Sequence, residues 1–165
     1  MYKRRTYRHT DNSKAIPDDV TTLYCDMEQL PEPLPEKLLV LFCNNVEAIT
    51  APLPESVLEL HCDQVKQLPE TLPPQLRYLE CFSIERLPDN LPDSIEELYC
   101  DSVTELPVKL PERLTIINCD NITKFPTQLP KHLKEIWCKK VTNLPDELPH
   151  NIVIGFSRGN LKTVG

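Results

Sequence analysis

Thiols offer the first chemistry in this chain. Seven cysteines fall at positions 25, 43, 62, 81, 100, 119 and 138, spaced 18 residues once and 19 residues five times. Such a column could in principle pair into disulfides, hold metal or supply a nucleophile, and each use makes a geometric demand. In-register side chains on parallel strands run side by side about 4.8 Å apart, whereas a disulfide needs Cβ atoms about 3.8 Å apart and a dihedral of about 90°. Zinc takes four ligands around a point, and a column supplies a row. A nucleophilic cysteine must be exposed and activated, yet the four histidines (His9, His61, His132, His150) occupy different phases and form no cluster with it. GxSxG, P-loop, HExxH and CxxC motifs are lacking. The cysteines therefore read as small hydrophobes in a narrow core. The expectation is no catalytic residue, no metal and no cofactor.

A comb of this kind is what a stacked repeat requires, because each unit returns the same side chain to the same place one rung along. In phase, the chain reads VTTLYCDMEQLPEPLPEK (20–37), LLVLFCNNVEAITAPLPES (38–56), VLELHCDQVKQLPETLPPQ (57–75) and LRYLECFSIERLPDNLPDS (76–94). It continues as IEELYCDSVTELPVKLPER (95–113), LTIINCDNITKFPTQLPKH (114–132) and LKEIWCKKVTNLPDELPHN (133–151). Seven repeats of 18–19 residues thus cover 20–151. Residues 1–19 form a basic extension with a partial repeat, and 152–165 a degenerate terminal unit.

One unit shows how the elements position the side chains. In 76–94, Leu79 and Cys81 are two apart, so a strand points both inward, while Tyr78 and Glu80 point to the opposite, open face. Phe82 and Ser83 turn the chain out, and Ile84 and Leu87 dip back into the core. The return LPDNLPDS carries Pro88 and Pro92, which fix φ and lack an N–H, so it is extended or polyproline-like rather than helical. Each unit gives one short strand and one non-helical return. Stacked, about eight such rungs make a solenoid with a parallel sheet, and the crossover rule makes it right-handed.

Composition bounds the setting. Three glycines stand against 17 prolines, and nearly every proline is in phase, which separates this chain from proline-rich disorder. No run approaches 18 apolar residues, so no membrane span is expected. The start MYKRRTYRHTDNSK is basic with no apolar segment behind it, unlike a signal peptide. With that start, an odd number of cysteines argues for a cytoplasmic, reducing location. Charge is uneven: residues 1–14 are net +4, 15–105 net −15 and 106–165 net +4. An acidic body disfavours nucleic acid as a partner. It permits steering of a basic protein partner, or end-to-end self-association between copies.

The pattern LxxLxC, a second apolar pair and LPxxLP resembles a leucine-rich repeat. It is similar to the short, proline-rich class of secreted bacterial effector E3 ligases, and to repeats in proteins of large DNA viruses. The resemblance implies a curved scaffold, its strand sheet concave and its proline-rich returns convex, that binds a protein partner without catalysis. It covers about four-fifths of the chain. The asparagine such repeats place in the turn after the strand is absent from its usual offset. No ligase domain follows the repeats within these residues, so ligase activity is not carried over. The competing expectation is a substrate-recognition module for a separate ubiquitin-ligase or other catalytic subunit.

Two further columns follow from the phase. The residues after each cysteine (Asp26, Asn44, Asp63, Phe82, Asp101, Asp120, Lys139) are mostly Asp or Asn, which cap free N–H groups in tight turns. Between the inward strand residues stand Tyr24, Phe42, His61, Glu80, Tyr99, Asn118, Trp137 and Phe156, all expected on the open face. Two places earlier stand Thr22, Val40, Glu59, Tyr78, Glu97, Ile116, Glu135 and Ile154. Aromatic side chains in register on an open face mark a binding surface, or else they form a cross-strand ladder that stabilises the sheet. On the first reading Tyr24, Phe42, Tyr99 and Trp137 anchor a partner, with His61 and Tyr78 beside them. Glu59, Glu80, Glu97 and Glu135 then select a basic one. The last unit, IVIGFSRGNLKTVG, either caps the solenoid or leaves an edge strand open to pairing.

Overall fold

The computed structural model describes residues 4–11, 13–142, 144–157 and 160–164, with the backbone alone from 156 onward. Its strands are β1 (Thr6–His9), β2 (Thr22–Cys25), β3 (Val40–Phe42), β4 (Glu59–His61), β5 (Tyr78–Glu80), β6 (Glu97–Tyr99), β7 (Ile116–Asn118), β8 (Glu135–Trp137), β9 (Ile152–Ser157) and β10 (Asn160–Val164). They form one sheet in sequence order. β1 to β9 pair in parallel and β10 folds back antiparallel on β9. The described residues contain no helix. This is the expected solenoid, with eight turns between the nine parallel strands.

Two tight turns shape each rung, and both are legible in its residues. The N–H of the apolar residue opening a strand bonds to the carbonyl of the proline three places earlier. This occurs at Val20, Leu38, Val57, Leu76, Ile95, Leu114 and Leu133, at 3.0–3.2 Å. A proline has no N–H to offer the ladder, but its carbonyl is free to accept. After the strand, Val46, Val65 and Val103 donate in the same way to Cys43, Cys62 and Cys100 at 3.1–3.2 Å. Between the turns only three residues of β3 to β8 are left to pair.

The core lies inside the coil. The opening residues (Val20, Leu38, Val57, Leu76, Ile95, Leu114, Leu133, Ile152), the strand-centre residues from Leu23 to Ile154 and all seven cysteines are buried. Each fully buried Leu or Ile contributes about 1.5–3 kcal/mol. No cysteine is joined to another. Instead Cys62 Sγ donates to the Glu80 carbonyl at 3.1 Å, and Cys43 and Cys81 make the same bond to the next rung at 3.5 Å.

The two ends depart from the simple phase. Thr6–His9 forms a strand of its own, with Tyr7 opposite Leu23 and a buried His9 opposite Cys25. In the last rung the pairing sets Ile154 opposite Ile136 and Gly155 opposite Trp137. Ile154, expected on the open face, is therefore buried in the core. The phase slips by one because Gly155 is the residue without a side chain under the Trp137 indole: a Cβ there would lie 2.5 Å from Cζ3. The Phe156 side chain lies outside the described residues. β10 covers the outer edge of β9 with a bulge between Asn160 and Leu161.

Candidate functional site

The open face of the sheet carries two residues from each rung, and the register decides which meet. Tyr24, Phe42, His61, Glu80, Tyr99, Asn118, Trp137 and Gly155 form one continuous row of paired positions. Thr22, Val40, Glu59, Tyr78, Glu97, Ile116, Glu135 and Val153 form the other. All ten residues expected to contact a partner lie on this face, each partly buried.

Their rings form a stack. The centroids of Tyr24 and Phe42 are 4.4 Å apart with planes 1° from parallel, and Phe42 and His61 are 4.2 Å and 14° apart. At the next rung the row holds Glu80, and the ring contacts cross to the other row and tilt: His61 meets Tyr78 at 4.7 Å and 33°, and Tyr78 meets Tyr99 at 5.3 Å and 35°. At the other end the Arg8 guanidinium sits over the Tyr24 ring, 4.8 Å from its centroid. Arg8 also donates to Asp26 Oδ2 at 2.7 Å. Strand spacing supplies the stacking distance, so parallel in-register rings stack with little adjustment.

Carboxylates complete the polar groups of the rings. Glu80 Oε2 accepts from the Tyr78 hydroxyl at 3.0 Å and lies 2.6 Å from His61 Nδ1. Tyr99 donates to Glu97 Oε2 and Trp137 Nε1 donates to Glu135 Oε2, each at 3.0 Å and each two residues apart on one strand. That spacing puts both side chains on the same face. Burial, then the bond to Glu97, pushes the Tyr99 phenol up to about 12. Burial and the Glu80 bond push Tyr78 up as well. Glu59 stands between Val40 and Tyr78 in its row.

The aspartate column beside the rings behaves less simply than expected. Asn44 Oδ1 does accept from the Asp63 N–H, at 3.4 Å. Asp26 instead takes Arg8, and Asp120 takes Lys139. The buried Oδ1 atoms of Asp63 and Asp101 accept no hydrogen bond, nor does that of Asn118. Burial raises the Asp63 carboxyl with help from Glu80, and raises Asp101 with help from Asp120. Turn capping thus accounts for Asn44 and leaves one carboxylate oxygen of Asp63 and one of Asp101 without a protein donor. Among the described residues no group of three or more His, Cys, Asp or Glu is placed to hold a metal ion.

Sequence reasoning placed the rows but passed over Arg8, whose strand breaks the 19-residue spacing, and the carboxylate bonds to the rings. The i, i+2 pairs Glu97/Tyr99 and Glu135/Trp137 were the available signal for the latter.

Comparison with solved structures puts the coil in context. YopM from Yersinia enterocolitica WA-314 superposes with a TM-score of 0.63 at 22% identity, over 86% of this chain and 38% of that one. A Shigella effector LRR domain superposes with a TM-score of 0.52 at 22% identity, over 73% of this chain and 67% of that one. The fold is a leucine-rich-repeat solenoid. This chain spans well under half the length of the YopM chain that it resembles. Neither a protein-family model nor a curated protein sequence matches it. Among the described residues no helix is long and apolar enough to cross a membrane.

Proposed function

We propose that this chain is a non-enzymatic scaffold that binds a protein partner on the open face of its sheet, in a reducing intracellular compartment. The observation that carries the reading is the half-exposed row of rings from Tyr24 to Tyr99, continued at Trp137 and flanked by Glu59, Glu80, Glu97 and Glu135. Stacking explains the near-parallel planes of Tyr24, Phe42 and His61. It does not require that a sheet face with no layer packed over it be aromatic, and partly exposed Tyr, Trp and Phe beside carboxylates suit a partner with basic and apolar groups.

Affinity capture from cell lysate tests this reading, comparing the native chain with Tyr24→Ala/Phe42→Ala and Tyr99→Ala/Trp137→Ala. Val108→Glu, on an exposed return, serves as the control. The reading expects a discrete partner that is lost with either double variant and kept with the control. Equal capture by all four proteins would sink it.

A further inference from the structure

The stack that begins at Arg8 stops at Tyr99, and one side chain is the reason. Asn118 holds the next place in the row, between Tyr99 and Trp137, and has no ring. Trp137 does not fill the place from the far side, because its indole lies over Gly155. Two strand spacings, about 9.5 Å, separate the backbones that carry Tyr99 and Trp137, so the face of Tyr99 toward Asn118 is left without a ring neighbour in its row. A hollow of about 410 Å³ opens there, lined by Tyr99, Asp101, Ile116, Asn118, Glu135 and Trp137 among others.

Its chemistry is one-sided. Asn118 Oδ1 and Asp101 Oδ1 are buried and accept nothing. Asp120 and Glu135 add two carboxylates, against Lys139, which pairs with Asp120. The carboxylates favour a positive group and the open face of Tyr99 a flat one, and a guanidinium is both. The chain already contains such an arrangement: Arg8 stacks on Tyr24 and donates to Asp26, two residues further on. Asp101 likewise stands two residues after Tyr99, with the hollow on the side of the following strand where Arg8 lies on the side of the preceding one. We propose that the hollow at Asn118 receives the guanidinium of an arginine on the partner protein, stacked on Tyr99 and held by the charge of the Asp101 and Glu135 carboxylates that line it. This rests on the open face being the partner surface and adds the chemistry by which it would select its partner. An ammonium lacks the plane and the fork of donors, so lysine fits poorly.

The probe is the tripeptide acetyl-Gly-Arg-Gly-amide, titrated at low ionic strength against its citrulline and lysine counterparts. The readouts are fluorescence of Trp137, the single tryptophan, and the side-chain amide resonance of Asn118. The arginine peptide should saturate with an affinity at least about tenfold above either counterpart, since citrulline keeps the shape and loses the charge. Asp101→Asn should weaken it several-fold. Asn118→Phe should abolish it while the ring stack gains its missing member and the fold persists by circular dichroism. Equal response to citrulline, no response at all, or an undiminished response in Asn118→Phe would each overturn the proposal. Should Asn118→Phe fail to fold, the peptide comparison and Asp101→Asn decide the matter. Failure here is separable from failure of the partner surface. If Tyr99→Ala/Trp137→Ala loses the partner and Asn118→Phe captures it like the native chain, only the arginine assignment falls.

Discussion

His61 Nδ1 lies 2.6 Å from Glu80 Oε2 on the neighbouring strand, at the one rung where the ring stack changes rows. Glu80 occupies a ring position and holds both rings that flank the break: His61 through Nδ1 and Tyr78 through its hydroxyl. Both partners of the short contact are about one-fifth exposed, at 17% and 21%. It is therefore screened less than an ordinary surface pair. Glu80→Ala should cost about 1–2 kcal/mol, because it leaves two half-buried polar groups without their acceptor. Glu80→Gln should cost less, since an amide oxygen can still accept from Tyr78. Urea unfolding at unchanged slope measures both. A loss below about 0.3 kcal/mol for the alanine variant would mean that the contact is no stronger than an exposed ion pair.

Gly155 beneath Trp137 leads to a second expectation. A Cβ there would overlap the indole, which must then lift and strain its bond to Glu135. Gly155→Ala should destabilise the last rung by about 1–3 kcal/mol, as overpacking does, and change the emission of the only tryptophan. In a Trp137→Ala background the same substitution should be nearly silent. A double-mutant cycle checks this, and additive losses would place the strain elsewhere.

How far the sequence carried can be argued from particular residues. The cysteine comb and the prolines were enough for the coil, because a buried thiol repeated every 19 residues and a return without helix leave few alternatives. The ends were less legible. β1 puts His9 where later rungs put cysteine, at a spacing of 16 to Cys25, so no periodicity points to it. In the last rung the unit has neither cysteine nor proline return, and the slip that buries Ile154 depends on a contact between Gly155 and Trp137 that only three dimensions contain. The rows of the site followed from alternation as far as Glu135 and Trp137, and the last rung puts Val153 and Gly155 where Ile154 and Phe156 were expected. The joining of the rows into one stack did not follow from it, because it depends on Glu80 passing the stack from His61 to Tyr78.

The thiols predict a response to alkali. Burial pushes Cys81 up to about 12 and Cys138 up to about 11, from an ordinary value of 9.0. Cys43, Cys62, Cys100 and Cys119 are raised as well, also chiefly by burial. A folded value above the unfolded one means that the folded state keeps the proton longer. This stability is fully present below pH 9 and is lost as pH rises through the folded values. Each such thiol contributes a slope of up to about 1.4 kcal/mol per pH unit in that window. The melting temperature should be level between pH 7 and 8.5 and fall steeply above 9. Replacing two central cysteines by alanine should flatten the fall, and an unchanged slope would assign it to other groups. Below pH 9 a thiol reagent should label the native protein slowly and all seven sites rapidly in denaturant.

A central cysteine should matter more than a terminal one. Cys81 is fully buried between two complete rungs, its Sγ directed at the Tyr99 carbonyl at 3.5 Å, while Cys25 lies one strand from the end of the sheet. Cys81→Ala leaves a small cavity and should cost about 1 kcal/mol. Cys81→Ser puts a hydroxyl among leucines. It can reach toward the Tyr99 carbonyl, but that oxygen already accepts the Cys81 N–H at 2.9 Å, so the new group is poorly compensated. About 1–3 kcal/mol is expected. Stability in a solenoid runs through nearest neighbours, so Cys25→Ser should cost less, its rung having fewer full neighbours to lose. Denaturant melts of the three variants decide the order. Serine at position 81 proving milder than alanine would show that the column tolerates a polar group, and that the thiols fill space without demanding an apolar one.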